Sequence, residues 1–409
     1  FGTACIARWL QKWGWRVAVV PQPNWRDDLR DFKKLGAPRL YFGVNAGAMD
    51  SMVNHYTASK RLRHDDAYTP DGKFGQRPDY AVSVYSKILK QLYPDIPVVI
   101  GGVEASLRRL THYDYWKDCL VPSILQWSGA DYLCYGMGEK TMLELTRGIE
   151  AGRSRHDMHK IPQIAFYMTG KPKQKEGTLI LHSFEECKKD KRAFAENFHL
   201  IETQANMMHP DTLVECVGDG YIQVNPPCPP ATEQEMDSYW DLPFTKLPHP
   251  RYKGKRIPAY DMIKFSINTH RGCFGGCNFC TIAAHQGKFI QSRSEESILK
   301  EVKGLLDLPG FAGNISDLGA PTANMYGMRG KNPALCDVCR RKSCLFPAPC
   351  PNMNRSHERL LKLYHRVGDI KGIRHSYIGS GIRYDLFLTE DGFVDKTSYP
   401  YMKELVLDH

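Results

Sequence analysis

Hydrophobic and polar positions along the first 150 residues switch repeatedly between a helical period and the short apolar runs of buried strands. The pattern predicts helices over 4–12, 26–35, 80–92 and 140–150, and strands over 15–20, 39–44, 97–100 and 130–135. Strands that alternate with helices predict βαβ units and a doubly wound parallel sheet. Glycine-rich loops follow three of these strands, at 43–47, 101–104 and 136–139, on the edge where open α/β sheets bind ligands. None completes a dinucleotide fingerprint, and tight strand-to-helix turns explain the glycines equally well.

Residues 151–257 change character, with strands expected over 163–168 and 178–182, a charged helix over 185–204, and a proline-rich stretch at 226–230. They read as a connecting subdomain and linker. From 258 to 409 the strand–helix rhythm returns: strands over 262–269, 312–318 and 377–381, helices over 295–306 and 357–366, and a last helix from Tyr399. Three such units make the N-terminal half of a (β/α) barrel of the TIM type, with a cysteine-rich insertion at 325–352. The chain starts at Phe1 inside one predicted helix and stops inside another, so it reads as truncated at both ends.

At 409 residues, with 42% hydrophobic and 24% charged positions, the chain is globular in composition and long enough for two or three domains. No apolar run approaches the roughly 18–20 residues of a membrane span, which excludes a helical membrane protein for the sequence in hand. The net charge of +10 permits an acidic or nucleic-acid partner without requiring one, because the basic residues are dispersed.

The 13 cysteines change the picture. Seven lie between positions 273 and 350, at spacings typical of metal or iron–sulfur ligation in a reducing cytoplasm rather than of a secreted disulfide framework. The first three form Cys273-x3-Cys277-x2-Cys280, at the end of a predicted strand, with Gly272, Gly275 and Gly276 interleaved and Phe279 just before the last cysteine. Three thiolates on one loop can ligate three irons of a [4Fe–4S] cubane and leave the fourth iron open to another ligand. Zinc prefers four protein ligands in structural sites, so this loop suits it poorly.

The other four, Cys336, Cys339, Cys344 and Cys350, lie in the insertion and can close a second metal site. Zinc and an auxiliary [4Fe–4S] cluster both remain open, with iron–sulfur favoured by the neighbouring loop. The interleaved Arg340, Arg341 and Lys342 would lower the thiol pKa values.

The Cys273–Cys280 loop resembles that of the radical S-adenosylmethionine (SAM) superfamily. The resemblance implies that the open iron chelates the amino and carboxylate groups of SAM, and that reductive cleavage gives a 5′-deoxyadenosyl radical. Asp317 and Gly319 occupy the strand end that meets the methionyl amine in that superfamily, although its usual Gly-Gly-Glu is absent. Ser380 and Arg383, after the third strand, are candidates to meet the ribose and carboxylate, since arginine suits a planar anion, while a surface ion pair is an equal reading of Arg383.

Further phrases narrow the likeness: Arg77-Pro78-Asp79, Gly101-Gly102-Val103-Glu104-Ala105-Ser106-Leu107-Arg108-Arg109, His112-Tyr113-Asp114-Tyr115-Trp116 and Tyr135-Gly136-Met137-Gly138-Glu139 are similar to the YgiQ-type radical SAM family. Residues 1–150 are, by that resemblance, a Rossmann-like domain related to cobalamin-binding domains. The cobalt-ligating histidine loop of such domains would precede residue 1, so corrin binding stays open. The resemblance also implies a flavodoxin- or ferredoxin-type electron donor. Residues 108–116 either touch substrate or serve as a packing element.

The function expected is hydrogen abstraction from an unknown substrate, with methyl or methylthio transfer, on RNA for example, as one version. No catalytic acid, base or nucleophile stands out. Two other classes fit parts of the chain: a non-enzymatic iron–sulfur redox or metal-sensing protein, and a zinc-dependent nucleic-acid-binding protein supported only by Cys336–Cys350.

Overall fold

The computed structural model describes residues 1–172, 175–388 and 394–407. It has the α/β architecture that the periodicity predicts, divided into two compact units. The first comprises Phe1–Gln204, His209–Cys228 and Pro248–Pro258; the second comprises Ala205–Met208, Pro229–Leu247 and Ala259–His409. Among the described residues no helix is long and apolar enough to cross a membrane.

The first unit is built on seven strands, β1 (Phe42–Val44), β2 (Val98–Gly101), β3 (Tyr132–Cys134), β4 (Ile164–Met168), β5 (Thr178–Ile180), β6 (Thr212–Val217) and β7 (Gly220–Val224). They lie in the order β1-β2-β3-β4-β7-β6-β5. β1, β2 and β3 run parallel, with Val44 opposite Ile100 and Ile100 opposite Leu133. β2 is buried along Val98, Val99 and Ile100, as a central parallel strand covered on both faces must be. The helices Ala81–Leu92 and Glu139–Glu150 supply apolar faces to this sheet, through Val82, Tyr85 and Leu89 in one and Met142 and Leu145 in the other.

The parallel order expected for residues 1–150 holds along β1, β2 and β3. Beyond residue 150 the sheet continues with antiparallel pairs: β4 runs antiparallel to β3, and β6 and β7 form an antiparallel hairpin across the two-residue turn Gly218–Asp219. A turn that short can join only antiparallel strands, so the reversal follows from the local sequence. Residues 163–224 thereby extend the same sheet. The strand expected over 15–20 does not form; those residues are half-buried or exposed. Their β-favouring composition is overridden because no neighbouring strand pairs with them.

Glu215, on β6, is fully buried and accepts a hydrogen bond from the Thr111 backbone N–H at 2.9 Å. Burial pushes its pKa from 4.5 up to about 7, with the Thr111 contact opposing. The native chain therefore holds this proton more tightly than the unfolded chain. Stability from the protonated form is complete below pH 4.5 and is lost as pH rises to about 7. Glu215→Gln is expected to unfold at a higher temperature than wild type at pH 8, by the equivalent of about 3 kcal/mol, and to lose that advantage below pH 4.5. Thermal melts across that range check the sign.

In the second unit, β8 (Ser266–Asn268), β9 (Asn314–Ile315), β10 (Asp317–Gly319) and β11 (His375–Ser376) form three parallel tracks, because β9 and β10 are successive parts of one strand line. Ile267 faces Leu318, and Ile315 faces Ser376. The backbone N–H of Leu318 continues the pairing to the carbonyl of Tyr377. The helices Glu295–Leu305, Glu358–Gly368 and Tyr399–Leu407 bury Ile298, Val302, Leu305, Leu360, Leu363 and Tyr401 with these strands. The first predicted strand is shorter than the pattern suggested, since Pro258–Ile263 is helical.

Candidate functional site

A short antiparallel ribbon follows β8, with His270 opposite Ser292 and Arg271 opposite Gln291. It closes the base of the loop that carries all three cysteines of the C-x3-C-x2-C motif. Fully buried Arg293 anchors this base: its guanidinium donates to the Asn268 carbonyl at 2.8 Å and pairs with Glu301. At the mouth of the loop the Gly272 N–H donates to Gln286 Oε1 at 3.0 Å, and the Cys273 N–H to the Gly287 carbonyl at 3.2 Å.

Two glycines are sterically required there. Gly272 has φ +89°, and a Cβ on it would fall 2.3 Å from the Phe289 carbonyl oxygen. Gly276 has φ +64°, and its Cβ would fall 2.7 Å from Ser343 Cβ.

Cys273, Cys277 and Cys280 are all half-buried. Cys273 Sγ lies 3.3 Å from Thr322 Oγ1. Cys277 Sγ accepts from Arg383 Nη1 at 2.8 Å. The Asp385 carboxylate holds the other side of that guanidinium, with Nε 3.0 Å from Oδ1, and keeps the Arg383 pKa above its ordinary value. A Cβ on Gly275 would lie 2.6 Å from Arg383 Nη1 and 3.4 Å from Cys273 Sγ, so only glycine lets the guanidinium approach the loop backbone here. Below the loop, Phe274, Met325, Met328, Leu345, Met353 and Leu386 form an apolar floor that Cys273 touches. Phe279 is 90% exposed.

Sequence reasoning missed Asn324, which fixes Arg383. Its side chain is fully buried, accepts from the Arg383 N–H at 2.9 Å and donates to the Arg383 carbonyl at 3.0 Å. Its Nδ2 also lies 3.3 Å from Nε2 of His357, which burial keeps neutral with a pKa pushed down to about 4. Asn324→Ala strands both backbone groups of Arg383 away from their partners. A loss of about 2–3 kcal/mol is expected, read as a lower thermal midpoint.

Asp317 and Ser380 meet each other. The Asp317 carboxylate accepts from the Gly379 and Ser380 N–H groups at 2.9 and 3.1 Å and from Ser380 Oγ at 2.5 Å, joining the ends of the second and third strand tracks. The Gly319 carbonyl accepts from the Thr269 N–H at 2.8 Å and Thr269 Oγ1 at 3.2 Å. Asp317, Gly319, Ser380 and Arg383 thus lie at the carboxyl ends of the tracks that follow the cysteine loop.

Cys336 lies in the short helix Pro333–Asp337, and Cys339, Cys344 and Cys350 lie in the irregular segment that follows it. Backbone bonds from Cys339 N–H to the Cys336 carbonyl, 3.2 Å, and from Cys350 N–H to the Cys344 carbonyl, 2.7 Å, fold it into two turns. The expectation that neighbouring cations lower these thiol pKa values is corrected for two of them. Burial raises Cys336, and it pushes Cys344 up to about 11, with Lys288 opposing and the other three cysteines adding. Arg341 turns instead to the Phe346 and Ala348 carbonyls. Among the described residues, no three His, Cys, Asp or Glu side chains converge as the ligands of a single metal ion.

In the first unit, residues 108–116 are largely packing elements. Arg108 is buried against Asp50, and Asp114 accepts from Tyr80 Oη at 2.7 Å and from the Trp116 N–H at 3.0 Å. Tyr113 and Tyr115 remain exposed. Glu104, on the helix Gly102–Leu107 that follows β2, accepts from the Ser51 and Val82 N–H groups at 2.8 and 2.9 Å, so its carboxylate serves the backbone.

The family described as Radical SAM N-terminal matches residues 1–266. A UPF0313 protein of Bacteroides thetaiotaomicron is 54% identical over 423 residues, covering 100% of this chain and 68% of its own. The UPF0313 protein YgiQ of Escherichia coli is 41% identical over 464 residues, covering 100% of this chain and 62% of its own. The chain therefore spans about two thirds of the length of these relatives. Among solved structures, the radical SAM methyltransferase TsrM of Kitasatospora setae, with tryptophan substrate and a SAM analogue bound, gives a TM-score of 0.41 at 18% identity over 98% of this chain and 61% of that one. The match over residues 1–266 and the identity to the UPF0313 proteins show that the chain belongs to the YgiQ-type (UPF0313) radical SAM family.

Proposed function

We propose that the chain carries the cofactor-binding part of a radical SAM enzyme, with Cys273, Cys277 and Cys280 as the ligands of a [4Fe–4S] cluster and with SAM on its open iron. The observation that carries this reading is the set of three half-buried thiols on one glycine-rich loop, with the Arg383 guanidinium 2.8 Å from the middle one. The donor set fits such a cluster in number and softness, and a glycine at 275 lets the Arg383 guanidinium and Cys273 Sγ close over the loop backbone, where a Cβ would lie 2.6 and 3.4 Å from them. When bound, the cluster supplies one electron to SAM, whose cleavage gives a 5′-deoxyadenosyl radical for hydrogen abstraction from substrate.

The chain's own residues prepare the place. Arg383 donates to Cys277 Sγ, which stabilises the thiolate and fixes its direction, and Asp385 and Asn324 keep Arg383 aimed. Phe274 and the methionines beneath the loop exclude water from one side of Cys273. Gly319, Asp317 and Ser380 are the residues we assign to the SAM side, through the backbone around Gly319 and the Asp317–Ser380 pair. Exposed Phe279, beside Cys280, is assigned to the adenine face of SAM.

Anaerobic loading with iron and sulfide, followed by reduction with SAM present, tests the reading. Release of 5′-deoxyadenosine is expected. A stable, reduced cluster that leaves SAM intact would favour a redox or sensing role instead.

A further inference from the structure

Lys288 is 2% exposed, and among the described residues no carboxylate pairs with it. Its ammonium donates to the Arg341 carbonyl at 2.8 Å, lies 3.9 Å from Cys339 Sγ and sits 5.2 Å from the Phe289 ring centroid. A buried cation is normally paired with an anion, because desolvation costs several kcal/mol that neutral dipoles offset only in part. The groups available here are the cysteines of the insertion. Cys336 and Cys344 each interact electrostatically with Lys288, Cys339 and Cys350.

We propose that Cys336, Cys339, Cys344 and Cys350 ligate a second, auxiliary iron–sulfur cluster, and that Lys288 is its buried counter-ion. On ligation each thiol gives its proton to solvent, and the iron and sulfide so held carry net negative charge together with the four thiolates. That charge is the partner Lys288 otherwise lacks. The four sulfurs do not converge on one point, as a lone tetrahedral ion would require with bonds of about 2.3 Å. A cluster spreads its ligands over several metal atoms and suits the wider set. Asn352 Nδ2, 3.4 Å from Cys336 Sγ, adds a second donor to the thiolate shell.

The site is joined to the first cysteine loop through the backbone. The Cys344 N–H donates to the Phe274 carbonyl at 3.1 Å, and Ser343 Oγ donates to the Gly275 carbonyl at 2.8 Å. Ser343 Oγ also accepts from the Leu345 and Phe346 N–H groups, at 3.0 Å each. Ordering the insertion around metal therefore also orders the carbonyls between Cys273 and Cys277.

The test uses the whole chain, loaded anaerobically with iron and sulfide in the presence of equimolar zinc. The triple variant Cys273→Ala/Cys277→Ala/Cys280→Ala is expected to retain about four irons and about four sulfides per chain, and wild type about twice that. Absence of iron from the triple variant, or zinc without sulfide, would overturn the proposal. Should the triple variant fail to fold, Cys336→Ser/Cys339→Ser decides: its iron should be half that of wild type, and an unchanged iron content would overturn the assignment. Failure of the SAM-site reading looks different, because wild type and triple variant would then carry the same iron. Lys288→Met in the triple variant is expected to make the remaining cluster harder to reduce. An unchanged reduction potential would remove Lys288 from the counter-ion role.

Discussion

Cys277→Ala is expected to abolish 5′-deoxyadenosine formation while leaving the fold intact. Cys277 is the thiol that Arg383 holds, so its loss removes a ligand and leaves one guanidinium nitrogen without its sulfur. The arginine keeps its Asp385 and Asn324 partners, and Cys277 itself is only half-buried, so no core contact disappears. Two thiols cannot hold a cubane against loss to solvent. The iron bound at this loop should fall below about a tenth of the wild-type amount, with a thermal midpoint for the unloaded protein within a few degrees of wild type. Circular dichroism and iron analysis on the same sample separate ligand loss from unfolding. Near-normal product formation would show that this cysteine is not a ligand.

Gly272→Ala should be the most damaging single methyl in the site. Two costs add at this position. A non-glycine residue at φ +89° costs about 1 kcal/mol, and the new Cβ would press on Phe289 backbone atoms at 2.3 and 3.0 Å, which cannot swing aside as a side-chain tip can. The ribbon His270–Arg271/Gln291–Ser292 would have to part to admit it. A total near 3–4 kcal/mol, about 6–16 °C in a unit of this size, is expected together with weakened iron binding. Gly287→Ala supplies the control: φ is +88°, yet nothing lies within 4 Å of its Cβ. Only the conformational cost, about 1–3 kcal/mol at its φ of +88° and ψ of 165°, should then appear, without the steric term. Equal effects at the two positions would contradict the steric account.

Much of the molecule was legible because its signals are local. The helix over 80–92 and the strand over 97–100 are recovered to within a residue or so at Ala81–Leu92 and Val98–Gly101, since one shows helical amphipathicity and the other an unbroken apolar run. The cysteine loop was equally plain, because spacing, glycines and strand end coincide in ten residues. The hairpin Thr212–Val217/Gly220–Val224 lies outside the predicted strands, although the Gly218–Asp219 turn between alternating apolar residues is a readable cue. Asn324, Lys288 and Ser343 carried no such cue. Their importance comes from contacts 59, 51 and 68 residues away in sequence, which no local period encodes. For Arg383 the sequence offers an anion contact or an ion pair, and the structure directs its guanidinium to Cys277 and Asp385.

The decisive observation would be made on one sample. Electron paramagnetic resonance of the reduced, loaded triple-serine variant Cys336→Ser/Cys339→Ser/Cys344→Ser, recorded before and after adding SAM, isolates the cluster on the 273–280 loop. If one iron of that cluster lacks a protein ligand, SAM must change its spectrum. Identical spectra with and without saturating SAM would contradict the reading of these three cysteines at its root.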